Sequence, residues 1–321
     1  MTKKYRTTVS SIIAMGIATG IAMGSVLGSG LRAARAEPVK VRIGYGTALH
    51  GEVAKVLAKT DIDKRHGLHV EATFFQYGPP QIEALVSKSI DLAFTSLVPT
   101  ASYLAKRPGA VVTIASLGTA AHGLVVPATS PVRTLRDFKG KTIAVAFGTD
   151  SYIDLLVSLK AVGLVRDADV KLVNVPPNEQ PAALEQKLAD GVLLREPQLQ
   201  KFLDRGAREI QRWPHHLWVI ARAEFLAEHP EIRRMLVDAL GEAAAYVASH
   251  PSQAAEWFAE DLRVPPKLVE NIAARNPLFA NAKTPAEISV KVPSEIKAFA
   301  IQRARELVEF GIAQKPPEFL F

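Results

Sequence analysis

The side chains best suited to chemistry are Arg195 and the hydroxyls of Ser96, Thr149 and Ser151, each placed just after a short β-type run. A guanidinium matches a carboxylate or sulfonate bidentately. The turn Gly148-Thr149-Asp150-Ser151 opens a helical pattern, where backbone N–H groups and hydroxyls can hold an anion. Each residue also has a plainer alternative. Arg195 could pair with Glu196 or Asp190, and Ser96, Asp150 or Ser151 could simply cap the helix that follows. Asp150 is awkward for an anion, so it either points away or meets a ligand amine. His50 and His122 fall near the same strand ends, as ligand contacts or as loop and hinge residues. Tyr45, Tyr77 and Tyr152 could wall a pocket or pack in the core, and Trp213, Trp218 and Trp257 read as core.

Covalent catalysis lacks its parts. The chain has no Cys, which excludes a cysteine nucleophile, disulfides, thiolate zinc sites and iron–sulfur clusters. Neither a Gly-x-Ser-x-Gly elbow nor a His-Glu-x-x-His pair is present. Gly44-Tyr45-Gly46-Thr47-Ala48-Leu49 imitates a dinucleotide fingerprint, but Leu49 replaces its third glycine. Gly140-Lys141-Thr142 ends like a phosphate-binding loop, yet Leu135 stands where the first glycine belongs. His215-His216 and the pair His66 and His69 lack carboxylates at metal-ligand spacing. No catalytic residue, metal or cofactor is therefore assigned, and the chemistry left is reversible binding.

The elements that must position these residues alternate between strand and helix. Strands are expected at Val41–Tyr45, His69–Phe75, Ile90–Thr95 and Val111–Leu117, with helices around Glu52–Lys59 and Pro80–Ser87. That order implies a mostly parallel sheet with crossover helices. It recurs about 99 residues later, with a strand at Thr142–Phe147, a helix at Tyr152–Val162 and a strand at Val170–Val175. Ala84-Leu85 … Lys88 … Asp91 matches Ala183-Leu184 … Lys187 … Asp190 at identical spacing. The repeat makes Ser96 and Arg195 equivalent positions. In open α/β sheets ligands bind beyond the carboxyl ends of the strands. Those ends carry Gly46, Thr47, Ala48, Thr95 and Ser96 in one half and Gly148, Thr149, Ser151 and Arg195 in the other. Ala120–Val126 reads as a connection out of the first half, and Trp218–Ala221 as a returning strand. Four helical stretches follow (Glu231–Ser249, Ser252–Asp261, Pro266–Arg275 and Glu295–Gly311), all expected to pack on the first half.

Composition sets the class. The 321 residues carry a formal charge of +7 and 48% hydrophobic residues, an ordinary globular balance long enough for about two domains. Lys3, Lys4 and Arg6 precede an uncharged stretch from Thr7 to Leu31, and Ala34-Arg35-Ala36 resembles a signal-peptidase site. Residues 1–36 are expected to be a signal peptide cleaved near Ala36/Glu37, with an uncleaved anchor as the alternative. Their removal takes five basic residues and no acid, leaving 34 basic against 32 acidic and a net charge of +2. Nucleic acid is thereby excluded as an expected partner.

Ile43-Gly44-Tyr45, Gly78-Pro79-Pro80-Gln81, Thr95-Ser96 … Pro99 and Leu194-Arg195-Glu196-Pro197, in this order and spacing, resemble the nitrate/sulfonate/taurine class of ABC-transporter substrate-binding proteins. The resemblance runs from about Val39 to Glu231. It implies a two-lobed (type II) periplasmic-binding-protein fold: lobe I from 37–122 plus 223–321, lobe II from 123–222, with a hinge between. It also implies a cleft lined by Gly46, Thr47, Ala48, Tyr77, Gly78, Thr95, Ser96, the Gly148–Ser151 turn and Arg195. The expected protein is a monomeric periplasmic receptor that closes on a small organic anion, a sulfonate or carboxylate, and delivers it to an ABC permease. Three positions depart from the family pattern: Ser96-Leu97 after Thr95, Arg195 where Trp is common, and Lys187 where Gly is usual. The alternatives are an enzyme on this fold resembling pyrimidine-precursor synthases, or a ligand-sensing partner of a membrane receptor.

Overall fold

The computed structural model describes residues 37–282 and 284–321. The export signal read in residues 1–36 lies outside the described residues. The chain runs β1 (Val39–Tyr45), α1 (Gly51–Lys59), α2 (Ile62–Arg65), β2 (Leu68–Phe74), α3 (Gly78–Val86), β3 (Leu92–Thr95), α4 (Leu97–Lys106) and β4 (Val111–Val126). It continues with β5 (Thr142–Val145), α5 (Asp150–Ala161), β6 (Lys171–Asn174), α6 (Gln180–Glu185), β7 (Gly191–Arg195), α7 (Gln198–Asp204) and β8 (Arg208–Arg222). Helices α8 (Ala223–Glu228), α9 (Ile232–Ser249), α10 (Pro251–Leu262), α11 (Pro266–Ala273), α12 (Pro277–Ala280) and α13 (Ser294–Glu309) complete it.

The eight strands form one sheet in the order β2-β1-β3-β8-β4-β7-β5-β6. β1 pairs in parallel with β2 and β3, and β5 pairs in parallel with β6 and β7. These two parallel trios are the two copies of the sequence repeat. The copies match in detail. Lys88 and Lys187, which close equivalent helices, both adopt φ +58°, the left-handed conformation that usually falls to glycine. Asp91 N donates to Arg42 O (2.7 Å) and its carboxylate accepts from Arg42 N (3.0 Å); Asp190 makes the same pair of bonds with Thr142 (2.9 Å each).

Two long antiparallel strands, β4 and β8, join the trios at the centre of the sheet. Here the sequence reading needs correction. Val111–Leu117 and Ala120–Val126 are one strand, not a strand and a connection, interrupted by a register shift between Ser116 and Thr119. Gly118 lies in that shift with φ +82°, and a Cβ there would fall 2.0 Å from Asn276 Oδ1, so glycine is required. The returning strand begins at Arg208, ten residues before Trp218, and includes Pro214. Proline is tolerated because β3 pairs only with the stretch from Trp218 to Ala221, which leaves Pro214 a neighbour on the β4 side alone.

Helices cover both faces. One core packs α1, α9, α10 and α11 against β1 and the ends of β4 and β8, around Phe94, Phe258 and Leu240. The opposite core joins α4, α5 and α13 through Leu97, Ile153, Trp218 and Leu307. The helix α13 thus packs against α4 and α5, one from each half, rather than on the first half alone as expected. Ala300 and Ala304, both buried and four residues apart, give it the small face that lets it lie across both.

Candidate functional site

The carboxyl ends of β1, β3 and β7 converge on two adjoining cavities. The inner one, about 20 Å³, is lined by Gly46, Thr47, Ala48, Tyr77, Gly78, Thr95, Ser96 and Arg195, all expected from sequence, together with His50, Gln81, Phe94 and His215. The outer one measures about 720 Å³ and shares Thr47 and Arg195 with the first. It lies between Phe74 and Gln76 on one side, Pro177–Pro181 and Leu194–Gln198 on another, and the end of α10 at Glu260–Arg263. This is the size range of small-molecule sites, with Arg195 at the junction.

The approach of backbone to pocket depends on glycine at Gly78. A Cβ there would lie 2.5 Å from Pro99 Cγ and 3.1 Å from Thr95 Oγ1.

Arg195 ends β7, directly across the β4 ladder from His122. Among the described residues no carboxylate lies within ion-pair distance of it. The partners it might have had are engaged elsewhere. Glu196 faces Arg212 (3.3 Å) and accepts from Ala121 N (3.0 Å), and Asp190 accepts from Thr142 N. Burial pulls the Arg195 pKa below its ordinary value while the nearby Asp150 charge opposes that, and a guanidinium stays protonated throughout the physiological range.

Three buried polar atoms in the inner lining have no hydrogen-bond partner among the described residues: Gln81 Oε1, Thr95 Oγ1 and His215 Nε2. Native interiors leave few such atoms unpaired, so three in one lining are a mark of a binding site. His215 is neutral at pH 7, because burial first and the Arg195 charge next drive its pKa well below the usual value. His50 places Nδ1 3.2 Å from Ala48 O and Nε2 3.1 Å from Thr95 O. Burial holds its pKa down at about 4, so the ring is neutral and only one nitrogen donates.

The Gly148–Ser151 turn sits differently from Ser96 and Arg195. Gly148 (φ +72°), Thr149 and Ser151 line neither cavity. Thr149 Oγ1 is 2.6 Å from Ala146 O, to which it donates, and 3.0 Å from Ser151 Oγ, so its turn binds itself. Its third member, Asp150, reaches across the sheet halves instead. Asp150 accepts from Ser96 Oγ and, through its other oxygen, from Val98 N (3.3 Å), placing a carboxylate at the N-terminus of α4. Ser96 stands at the N-cap position but spends its hydroxyl on Asp150 rather than on its own helix.

One turn along α5, Asp154 pairs with Arg303 of α13 and lies 2.9 Å from His122 Nε2. Tyr45 donates to Asp261 (2.7 Å) and Tyr152 stacks on Phe147, so neither walls the inner cavity. Trp213 and Trp218 are buried core residues. Sequence reasoning missed Gln81, Phe94 and His215. Gln81 was visible as the fourth residue of the Gly78-Pro79-Pro80-Gln81 motif; His215 arrives on the part of β8 that its own composition hides.

The mixed sheet with helices on both faces, and its cavities at the strand ends, is a periplasmic-binding-protein fold. The alkanesulfonate-binding protein SsuA from Xanthomonas axonopodis pv. citri, solved bound to MOPS, superposes with a TM-score of 0.73 at 21% identity, covering 88% of this chain and 96% of that one. The chain belongs to the NMT1-like family, whose model matches residues 34–260. A protein of Brucella abortus named as a binding protein is 27% identical over 242 residues, 72% of this chain and 74% of its own length. An aliphatic sulfonates-binding protein of Bacillus subtilis is 27% identical over 221 residues, 66% of each chain. The resemblance to substrate-binding proteins read from the motifs is thereby borne out.

Proposed function

We propose that this chain is the extracytoplasmic receptor of an ABC importer and binds a small organic anion, a sulfonate or a carboxylate, in the cleft between two lobes. The lobes are 37–122 with 223–321, and 123–222. The observation that carries the reading is Arg195: a guanidinium with no ion-pair partner among the described residues, at the junction of the two cavities. An unpaired cation in a desolvated site is costly, and a bidentate acid group relieves that cost. The outer cavity, with Phe74, Pro177, Pro181 and Leu194, offers room for an organic tail. The mechanism is binding followed by closure of the lobes about β4 and β8, with no covalent step. Export through a signal in residues 1–36 would bring the receptor to the periplasm, where a permease takes the solute.

A thermal-shift screen of residues 37–321 against alkanesulfonates, carboxylates, nitrate and neutral heterocycles tests this reading. A rise in melting temperature confined to organic acids is the expected result, since a ligand that binds only the folded state stabilises it by mass action. Stabilisation by neutral heterocycles alone, or by none of these solutes, overturns it.

A further inference from the structure

Behind Ser96 of the inner lining stands one more charge than an anion receptor needs. Asp150 is 8% exposed, and its carboxylate bridges Ser96 Oγ and Val98 N at the start of α4. The groups that face it can be taken element by element. On its own helix, Asp154 is paired with Arg303 of α13, which also reaches Glu306 (2.9 Å). On β4, His122 lies against Asp154 (2.9 Å). On β8, His215 Nε2 stands 4.0 Å from Asp150 Oδ2 with no hydrogen bond, and His216 is further along the same strand. His50, from the β1–α1 loop, is neutral and lies between two carbonyls, to one of which it donates. On β7 is Arg195, whose field and that of Asp150 act on each other. Asp154 has its own cation in Arg303. Among the charges lining or bordering the inner cavity, Arg195 and Asp150 are thus left to balance each other.

An anion entering beside Arg195 upsets that balance. It places two negative charges against one positive charge in a site from which water is largely excluded, where an uncompensated charge is expensive. We propose that Asp150 takes up a proton when an anion binds beside Arg195, so that solute binding is proton-coupled. This rests on the organic-anion reading of the site. The atoms for the exchange are in place. Without ligand, Ser96 Oγ–H donates to Asp150 Oδ2. A solvent proton added to Oδ2 reverses that bond: Oδ2–H donates to Ser96 Oγ, and the Ser96 hydrogen is freed toward the cavity. Ser96 then offers an incoming anionic oxygen a donor opposite Arg195. One proton is gained, and Val98 N keeps its bond to the other carboxylate oxygen. Burial already raises the Asp150 pKa above the ordinary range, which favours this exchange.

Titration calorimetry of residues 37–321 with butanesulfonate, whose own charge is constant across the range, measures the coupling directly. Runs at about pH 7.5 in phosphate and in Tris, buffers of different ionisation heat, count the protons exchanged. The expected result is uptake of up to one proton per bound anion, with Kd weakening by up to about tenfold per pH unit at the alkaline end. Asp150→Asn keeps a donor and an acceptor beside Ser96 and should bind with no proton uptake and a Kd independent of pH. Binding by Asp150→Asn but not by the unaltered chain at high pH also supports the coupling. Binding to the unaltered chain with no proton exchange and a flat Kd between about pH 6 and 8.5 overturns the coupling and leaves the receptor reading standing. No binding to either protein by butanesulfonate or by a matching carboxylate overturns both. The proton count on the unaltered chain needs no variant, so the test survives a misfolded Asp150→Asn.

Discussion

Arg303 on α13 and Asp154 on α5, 149 residues apart in sequence, form an ion pair in which the side chains are only 7% and 9% exposed. The pair ties the C-terminal helix to the helix whose first turn carries Asp150. Removing one partner of a buried pair leaves the other charge stranded, at a cost of about 3–5 kcal/mol. Arg303→Ala should lower the unfolding free energy by that amount at neutral pH, read from a lowered urea midpoint. Arg303→Ala with Asp154→Ala should recover part of the loss, because no orphaned charge remains. A double variant no better than the single would show that packing, not charge, governs this contact.

Arg195→Ala should weaken binding of an organic anion by about 1.5–3 kcal/mol. The same change should move the unliganded melting temperature little, because relief from burying the guanidinium is offset by loss of the charge that balances Asp150. Calorimetric Kd values with a differential scan of the free protein separate the two effects. A lowered melting temperature with unchanged affinity would make Arg195 a structural residue.

Glu52, in the first turn of α1, is fully buried and neither carboxylate oxygen has a hydrogen-bond partner among the described residues. Burial, with a smaller push from Glu270, raises its pKa from 4.5 to about 8. The native chain therefore holds a proton that the unfolded chain releases above about pH 4.5. Because the unfolded state binds fewer protons in this window, stability falls as pH climbs from about 4.5 to about 8. Glu52→Gln should flatten that slope and stabilise the fold at pH 8 by about 1–4 kcal/mol. Denaturant curves at pH 6 and pH 8 give the comparison, and equal slopes in both proteins would place the pH effect elsewhere.

Gly78→Ala tests the tight approach of α3 to α4. The added methyl falls against the Pro99 ring and Thr95 Oγ1, a forced overpacking that costs about 1–3 kcal/mol. Since Gly78 and Thr95 both line the inner cavity, affinity should fall together with the urea midpoint. Full affinity in a destabilised variant would mean that the strain is absorbed away from the pocket.

The repeated half of this fold was legible because its spacing recurs residue for residue: Ala84, Leu85, Lys88 and Asp91 return as Ala183, Leu184, Lys187 and Asp190, and the structure gives both lysines the same turn. Strand ends such as Thr95 and Arg195 followed from that alternation. What stayed hidden lies where the halves exchange chain. The break at Gly118 makes one strand read as two, and Arg208, Glu209, Arg212 and Pro214 disguise the start of β8 as a loop. Gln81 and His215 were lost for a related reason. Their side chains matter through a meeting of α3 and β8 that local pattern does not encode. The Asp150–Ser96 bond, spanning 54 residues, is of the same kind.

The duplicated half-motif also gives the cleft a direction. Ser96 and Arg195 occupy matching stations in the two copies, so identical residues there would make two walls of the inner cavity equivalent. Instead one wall presents a small hydroxyl already engaged by a carboxylate, and the other a full positive charge. On the organic-anion reading, an acid head meets both at once, charge on one side and hydroxyl on the other, and its tail is left the outer cavity. On that reading, the divergence of one pair of equivalent positions decides which end of the solute enters first.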